Sequence, residues 1–277
     1  MQVSVIIINY NTFEYTCNCI QSLINKTECV DYEIILVDNA SSECHPDLFK
    51  EKFPQIILIK NRENSGFAAG NNLGIKHAKG EFILLLNSDT VFIENSILFI
   101  YEKCKPINNL GAATIQLIFP DGTIQFSAKR FPSVMTHFLE MTRLYKIFTK
   151  QYNKRNEKYN YQKNFVCDWI WGTFFFFPKK NLEVMNGRLN ETYFMYSEDV
   201  EWCYQFKKAG LNNYYFSESK IIHLIGKSSV TSFKKKLVKK NHLHFIRSNY
   251  GLVPFLAESI LMKLSNIAGV IRKNNSN

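Results

Sequence analysis

Asp89 follows the apolar run Phe82 to Leu86 through Asn87 and Ser88, so its carboxylate is expected to project from the end of a buried strand. Magnesium takes one or two protein carboxylates and completes its octahedron with water and phosphate oxygens, so one aspartate there suffices to hold a cation against a phosphorylated ligand. A capping role fits poorly, because the next predicted helix begins near Asn95, six residues later. Glu198, Asp199 and Glu201 put three carboxylates into four residues at another predicted helix start. Acids suit a helix dipole at that end, but crowding like charges has a cost that a base or a cation-binding role explains. His223 closes Ile221-Ile222 and is either a satisfied core histidine or a ligand. Asp38 ends the run Ile34 to Val37, where a carboxylate accepts equally well from a ribose hydroxyl, a base N–H or the backbone of a following helix. The segment Asn64-Ser65-Gly66-Phe67-Ala68-Ala69-Gly70-Asn71-Asn72-Leu73-Gly74 brings small residues to a helix start. Free N–H groups there can meet a phosphate or a sugar, or the glycines serve close helix packing. Its spacing is neither G-x-G-x-x-G nor a Walker loop.

These residues need a frame that gathers them. Four β-branched apolar runs, Val3 to Asn9, Glu33 to Asp38, Ile56 to Lys60 and Phe82 to Asn87, alternate with segments of helical length, Glu14 to Asn25, Pro46 to Phe53 and Phe67 to Ala78. Such β-α alternation predicts an α/β fold with a mostly parallel sheet flanked by helices, its strands continuously apolar because both faces are buried. Polar clusters stand where each run stops, Asn9-Tyr10-Asn11, Asp38-Asn39, Asn61 to Asn64 and Asn87-Ser88-Asp89. Ligands bind outside the carboxyl ends of parallel strands, so the four clusters are expected to line one crevice.

From Gly111 the pattern shifts. Pro120-Asp121-Gly122 predicts a hairpin between Ile115 to Phe119 and Thr123 to Ser127. Tyr152 to Gln162 is polar and predicts a mobile surface loop, and Phe165 to Phe177 reads as buried strands. Ser197 to Ala209 reads as a helix stopped by Gly210, with strands at Asn213 to Phe216 and Lys220 to Leu224. Helices at about Phe233 to Asn249 and Val253 to Ile271 finish the chain. The expected organisation is a domain over residues 1–230, divided into halves at 1–110 and 111–230, and a basic, amphipathic helical region over 231–277.

The chain has 277 residues and 46% apolar composition, enough for a substantial core. Its 34 Lys and Arg against 24 Asp and Glu leave a net charge of +10, which points to anionic partners. The excess gathers at Lys234, Lys235, Lys236, Lys239 and Lys240, at Arg272 and Lys273, and between Lys146 and Lys163. Nucleic acid is excluded as the partner, because the acids stand at the strand ends where it would be repelled and the lysines stand elsewhere. Seven cysteines, an odd number without regular spacing, predict reduced thiols in a cytosolic compartment. Residues 3–8 read as a core strand and not as a signal peptide. Tyr250 to Val270 is interrupted by Pro254, Glu258, Lys263 and Asn266 and falls short of a spanning helix, so it either lies on a membrane surface or packs on the preceding domain with the lysines as a solvated face.

Taken in order, VSVIIINYN, VDNASS, ENSGFAAGNNLG, LLLNSD, FMYSEDVEWC and HLIGKSS resemble the motif series of the family 2 glycosyltransferases, most closely the rhamnosyltransferase-like members, over residues 3 to 229. The resemblance implies a GT-A-type, Rossmann-like fold, a nucleoside diphosphate sugar donor (dTDP- or UDP-linked), a divalent cation (Mg2+ or Mn2+) and transfer with inversion. It implies that Asn9, Tyr10, Asn11, Asp38 and Asn39 hold the nucleoside. Asn64, Gly66 and Asn71 would lie against ribose and diphosphate, with Ser88 a further donor contact. Asp89 becomes the metal aspartate, His223 a metal or diphosphate contact, and Asp199 the base, with Glu198 beside it. Asn87-Ser88, Glu201, Gln205 and Asn190 differ from residues common in the family at those positions. The expected activity is sugar transfer, with rhamnose the sugar the subgroup implies, to a glycan or lipid-linked acceptor. Its setting would be bacterial surface polysaccharide synthesis such as O-antigen, at the cytoplasmic face of the inner membrane and in peripheral contact with it. A UDP-hexose enzyme and an inactive nucleotide-sugar-binding homologue are the alternatives.

Overall fold

The computed structural model describes residues 1–142, 159–224 and 232–274. They fall into two compact units, Met1–Lys129 with Asn160–Ser229, and Arg130–Tyr159 with Val230–Asn277. Residues 130–142, placed by sequence in the second half of the first domain, group with the C-terminal helices.

In the first unit, β1 (Val3–Asn9), α1 (Phe13–Lys26), β2 (Tyr32–Asp38), α2 (Asp47–Lys52), β3 (Ile57–Lys60), α3 (Phe67–Ile75) and β4 (Phe82–Asn87) follow in turn. Their strands lie in the order β3-β2-β1-β4, all parallel. Ile6, Ile7, Leu36, Leu84 and Leu85 are fully buried, which is why these runs carry no polar alternation. Asn9 pairs with Asp38 in register, and Ile8 with Asn87, so the polar residues that end each run share one edge.

The unit continues with β5 (Thr90–Phe92), α4 (Ser96–Cys104), β6 (Leu110–Ile118), β7 (Ile124–Gln125) and β8 (Ala128–Lys129). The chain passes through α5 (Val134–Thr142) of the second unit before β9 (Phe165–Cys167), β10 (Trp169–Ile170), β11 (Phe174–Pro178), a 3-10 helix (Lys179–Met185), α6 (Glu198–Lys208) and β12 (Asn212–His223). β11 enters the sheet antiparallel between β4 and β6, and β12 runs parallel to β6. Phe174 to Phe177 are all buried, because a strand inside a covered sheet has no solvent face.

Where the sequence predicts two strands, Asn213 to Phe216 and Lys220 to Leu224, the structure has the single strand β12 with a register shift between Phe216 and Lys220. The polar insertion is held from outside the ladder: Ser217 N donates to Asn164 Oδ1 (2.8 Å), Ser219 Oγ to Ser96 Oγ (3.0 Å) and Lys220 N to Glu94 Oε1 (2.6 Å). The predicted hairpin forms as β6 and β7, pairing Leu117 with Gln125.

In the second unit, α7 (Ser232–Tyr250) and α8 (Leu252–Asn274) are separated by Gly251, whose φ of 92° belongs to glycine. Glu258 is 1% exposed, and its Oε1 is shared by His137 Nδ1 (2.7 Å) and His242 Nε2 (2.8 Å). Burial alone would raise its pKa, but the hydrogen bonds and charges of His242 and His137 outweigh it and hold the carboxyl below its usual range. Glu258 therefore faces its neighbouring helices and does not interrupt an outer apolar face. No described helix is long and apolar enough to cross a membrane. Residues 152–158 of the predicted mobile loop and Gly226-Lys227-Ser228-Ser229 lie outside the described residues.

Candidate active site

The parallel block sets the first wall. Asn9 is fully buried; its amide donates to Asp38 Oδ1 and to Ser41 Oγ (both 2.8 Å), and its carbonyl accepts from Thr12 and Thr16. Asp38, 2% exposed, also accepts from Ser41 N (3.2 Å). Asn39, equally buried, donates to Asn64 Oδ1 (2.9 Å) and accepts from Asn61 and from Ser65. Asn9 and Asn39 direct these hydrogen bonds to partners inside the protein and so brace the crevice wall, as does Asp38 between them. Tyr10 stands 46% exposed beside them, and Asn11 turns the chain at φ 54° while its Oδ1 accepts from Ser42 N (2.8 Å). Ser88, half-buried, shares a hydrogen bond with Thr12 (3.1 Å).

Gly66 and Asn71 are likewise inside. A Cβ on Gly66 would sit 2.3 Å from Phe194 O, and Phe67 N donates to that same carbonyl (2.9 Å). Asn71 is 1% exposed and donates to Phe67 O (2.9 Å). Gly70 and Gly74 meet Ile8 and Ile6 of β1. The small residues of this segment thus serve close packing, the second of the two sequence expectations. Asn72, which spacing did not single out, donates to Leu189 O (2.8 Å) and Glu191 Oε1 (2.7 Å) and accepts from Leu189 N (3.0 Å). It ties α3 to the segment leading into the acidic motif.

The acids form the opposite wall. β11 runs antiparallel to β4, so the residues entering it stand beside the end of β4: Asn87 N donates to Thr173 O (2.9 Å). Gly172, one residue earlier, donates its N–H to Asp199 Oδ2 (3.1 Å), and Val200 N donates to Oδ1 (2.9 Å). Asp199 is thereby fixed close to Asn87-Ser88-Asp89. Tyr196 and Ser197 precede it at φ 68° and 77°, a left-handed pair that strains non-glycine backbone at a site where strain is commonly functional. Burial raises the Asp199 carboxyl to about 6, against hydrogen bonds from Gly172 and Val200 and the charge of Lys129, which act to lower it. Glu198, 6% exposed, is raised well above its usual range by burial and by the Asp199 charge, and no group among the described residues hydrogen-bonds its Oε2. Glu201 is absorbed internally, accepting from Gln205 Nε2 (2.6 Å) and Tyr193 OH (3.4 Å).

His223 reaches Asp89 through strand pairing. β12 lies antiparallel to β5 with His223 opposite Thr90, which brings His223 Nε2 to 3.3 Å from Asp89 Oδ1. The Gln125 amide nitrogen donates to the carbonyls of His223 (2.8 Å) and Ile118 (3.3 Å), turning its oxygen toward His223 Nδ1 at 2.8 Å. Nδ1 therefore carries the hydrogen, and in the neutral ring Nε2 presents its lone pair to the carboxylate. That pairing is favourable only with a proton or a cation between them, and the Nδ1–H···O=C brace is the usual support of a metal-binding imidazole. Gln125 braces His223, a contact that its position in the predicted hairpin did not reveal.

A sheet whose polar strand ends stand beside an acid-bearing turn is the arrangement of an α/β ligand-binding domain. The chain belongs to glycosyl transferase family 2, whose family model matches residues 4–185. It is 36% identical over 110 residues to the poly(ribitol-phosphate) beta-glucosyltransferase of Bacillus spizizenii, covering 38% of this chain and 17% of that protein. It is 32% identical over 106 residues to glycosyltransferase GlyG of Streptococcus pneumoniae (36% and 34%), and 33% identical over 106 residues to the minor teichoic acid biosynthesis protein GgaA of Bacillus subtilis (36% and 24%). The chain spans about a third or less of the length of these relatives. Among solved structures, mannosyltransferase PcManGT from Pyrobaculum calidifontis, in complex with GDP-Man and Mn2+, matches 94% of this chain and 69% of its own at a TM-score of 0.63 and 17% identity, which shows a shared fold.

Proposed function

We propose that this chain transfers a sugar from a nucleoside diphosphate to an acceptor hydroxyl with inversion, in the synthesis of a bacterial surface polysaccharide. The observation that carries this is Asp199, a carboxylate held by two backbone N–H groups beside the end of β4. An acceptor hydroxyl must lose its proton as it attacks the anomeric carbon, and a carboxylate whose pKa is about 6 is ionised at neutral pH yet basic enough to take it. Tyr10, exposed at the end of β1, offers a ring for the nucleobase. Asp38, with its ionised oxygens braced by Asn9 and Ser41, offers the remaining lone pairs to base or ribose. Attack from the Asp199 side, opposite the diphosphate, inverts the anomeric centre. Asp89 and His223 are the residues that would hold Mg2+ or Mn2+; when bound, it neutralises charge gathering on the leaving diphosphate. Their donor set, one carboxylate and one imidazole lone pair oriented by Gln125, fits such an ion, and the named neighbour with Mn2+ and GDP-Man supports the assignment.

The rhamnosyltransferase-like motif series favours a dTDP-linked deoxyhexose, whereas the glucosyltransferase relative favours a UDP-hexose. A thermal-shift panel of nucleotide sugars with and without Mg2+ or Mn2+ separates the two. The matching donor is expected to raise the Tm only with the cation, and Asp89→Ala to lose that cation-dependent rise. An equal rise in Asp89→Ala would make Asp89 structural.

The second unit supports peripheral contact with an anionic membrane. Leu252, Val253, Leu256, Ile260 and Leu264 of α8 are each about half or more exposed, and Leu256, Ile260 and Leu264 recur at the spacing of one helix face. Lys235, Lys236 and Lys240 of α7 are exposed in the same unit. Each lysine near an anionic leaflet contributes about 1 kcal/mol, and the apolar stripe adds buried area. The protein is expected to co-sediment with anionic vesicles at low salt and to be released as salt rises; a supernatant protein with anionic and neutral vesicles alike would refute this contact.

A further inference from the structure

The ribbon of β8 and β10 carries a group that the reaction as described does not use. Lys129 pairs with Trp169 and Ala128 with Ile170, and Trp171 N extends the ladder to Ser127 O (2.8 Å). Side chains alternate across such a ribbon. Ala128 (2% exposed) and Ile170 (0%) turn inward, while Lys129, Trp169 and Trp171 share the other face. There the Lys129 ammonium lies 5.7 Å from the Trp169 ring centre and 5.3 Å from that of Trp171. Lys129 is exposed, and among the described residues its ammonium has no hydrogen bond or ion pair, so its three N–H donors are left for solvent or a ligand. Trp171 immediately precedes Gly172, whose N–H holds Asp199. Of the carboxylates in the crevice, Asp199 is the one whose charge acts on Lys129.

We propose that Trp169, Trp171 and Lys129 form the acceptor subsite, and that it takes a saccharide or polyol carrying an anionic group, a phosphate or a carboxylate. This rests on the transferase reading above and adds the chemical class of its acceptor. The indole faces offer an apolar surface to the C–H face of a sugar ring. They also hold the ammonium by cation–π attraction without using its N–H donors, which leaves those donors for an anion. Because the platform is one residue from the anchor of the base, a ring seated on it places a hydroxyl toward Asp199. An anion on Lys129 then fixes which hydroxyl that is.

Trp169 and Trp171 are two of the chain's three tryptophans, and the third, Trp202, is fully buried, so intrinsic fluorescence reports on the platform. Calorimetry first establishes that a nucleoside diphosphate binds with Mg2+; failure at that step refutes the transferase reading and the subsite together. With the nucleotide bound, methyl glucoside 6-phosphate, methyl glucuronide and methyl glucoside are titrated in turn. At least one anionic saccharide is expected to bind tenfold or more tighter than the neutral one, and comparison of the two anionic arms identifies phosphate or carboxylate. Lys129→Met is expected to abolish that preference while leaving nucleotide affinity unchanged; Trp169→Ala is expected to weaken all three saccharides. Equal binding of charged and neutral probes, no fluorescence response to any of them, or an undiminished preference in Lys129→Met would overturn the subsite. Loss of nucleotide affinity in Lys129→Met would instead assign the lysine to the leaving diphosphate.

Discussion

At the scale of single residues, two adjacent carboxyls have been given different properties by their surroundings. Asp199 has hydrogen bonds from Gly172 and Val200 to stabilise its charge, whereas Glu198 has burial and the Asp199 charge against it. Asp199 is therefore the first of the two to ionise. The rate of transfer is expected to fall as the pH drops through about 6, where Asp199 takes up its proton. Glu198 affects stability. Its folded pKa is raised, so its contribution is fully present below the unfolded value of about 4.3 and is lost as pH rises through the folded value. Glu198→Gln removes that loss: the variant is expected to match the wild type in Tm near pH 4, to exceed it at alkaline pH, and to keep the acidic limb of the rate profile. A variant less stable than the wild type at alkaline pH would contradict the raised pKa of Glu198, and one lacking the limb would make Glu198 the base. Carboxylate crowding marked this segment in sequence and the motif resemblance singled out Asp199, but spacing did not reveal the different surroundings of the two carboxyls, because they depend on which one Gly172 reaches from the turn before β11.

At the scale of elements, the segment from Asn64 to Gly74 joins the two walls of the crevice. Gly66 adopts φ 84° with its backbone against Phe194 O, and the Phe67 ring stacks on Trp202 at 6.1 Å. A side chain at Gly66 meets both an unfavourable φ and a carbonyl that cannot yield cheaply. Gly66→Ala is expected to lose more than about 1 kcal/mol in urea unfolding, and to lose activity through displacement of the acidic turn; unchanged stability would show that the two walls are not joined there. The parallel strands were legible because continuous β-branched runs bounded by polar clusters have few other solutions. β5 was not, since Thr90–Phe92 is too short for a pattern. Nor was the union of two predicted strands into β12, which depends on Asn164, Ser96 and Glu94 holding the insertion from distant positions. The same holds for Asn9, Asn39 and Gly66: their positions at strand ends and a helix start were correctly read, but only packing shows that they brace the wall from inside.

At the scale of the whole molecule, the family and the placement of acids opposite the strand ends support the proposed group transfer from an activated sugar. The charge is uneven between the units, with lysines gathered on α7 and the acidic motif in the first unit. The central claim is that Asp199 is the base that activates the acceptor, and its most direct test is single-turnover transfer by Asp199→Asn with donor affinity measured in parallel. A fall in the transfer rate of about 10²–10⁴-fold, with donor affinity near that of the wild type, is the expected result. Transfer at the wild-type rate by the folded variant would contradict it.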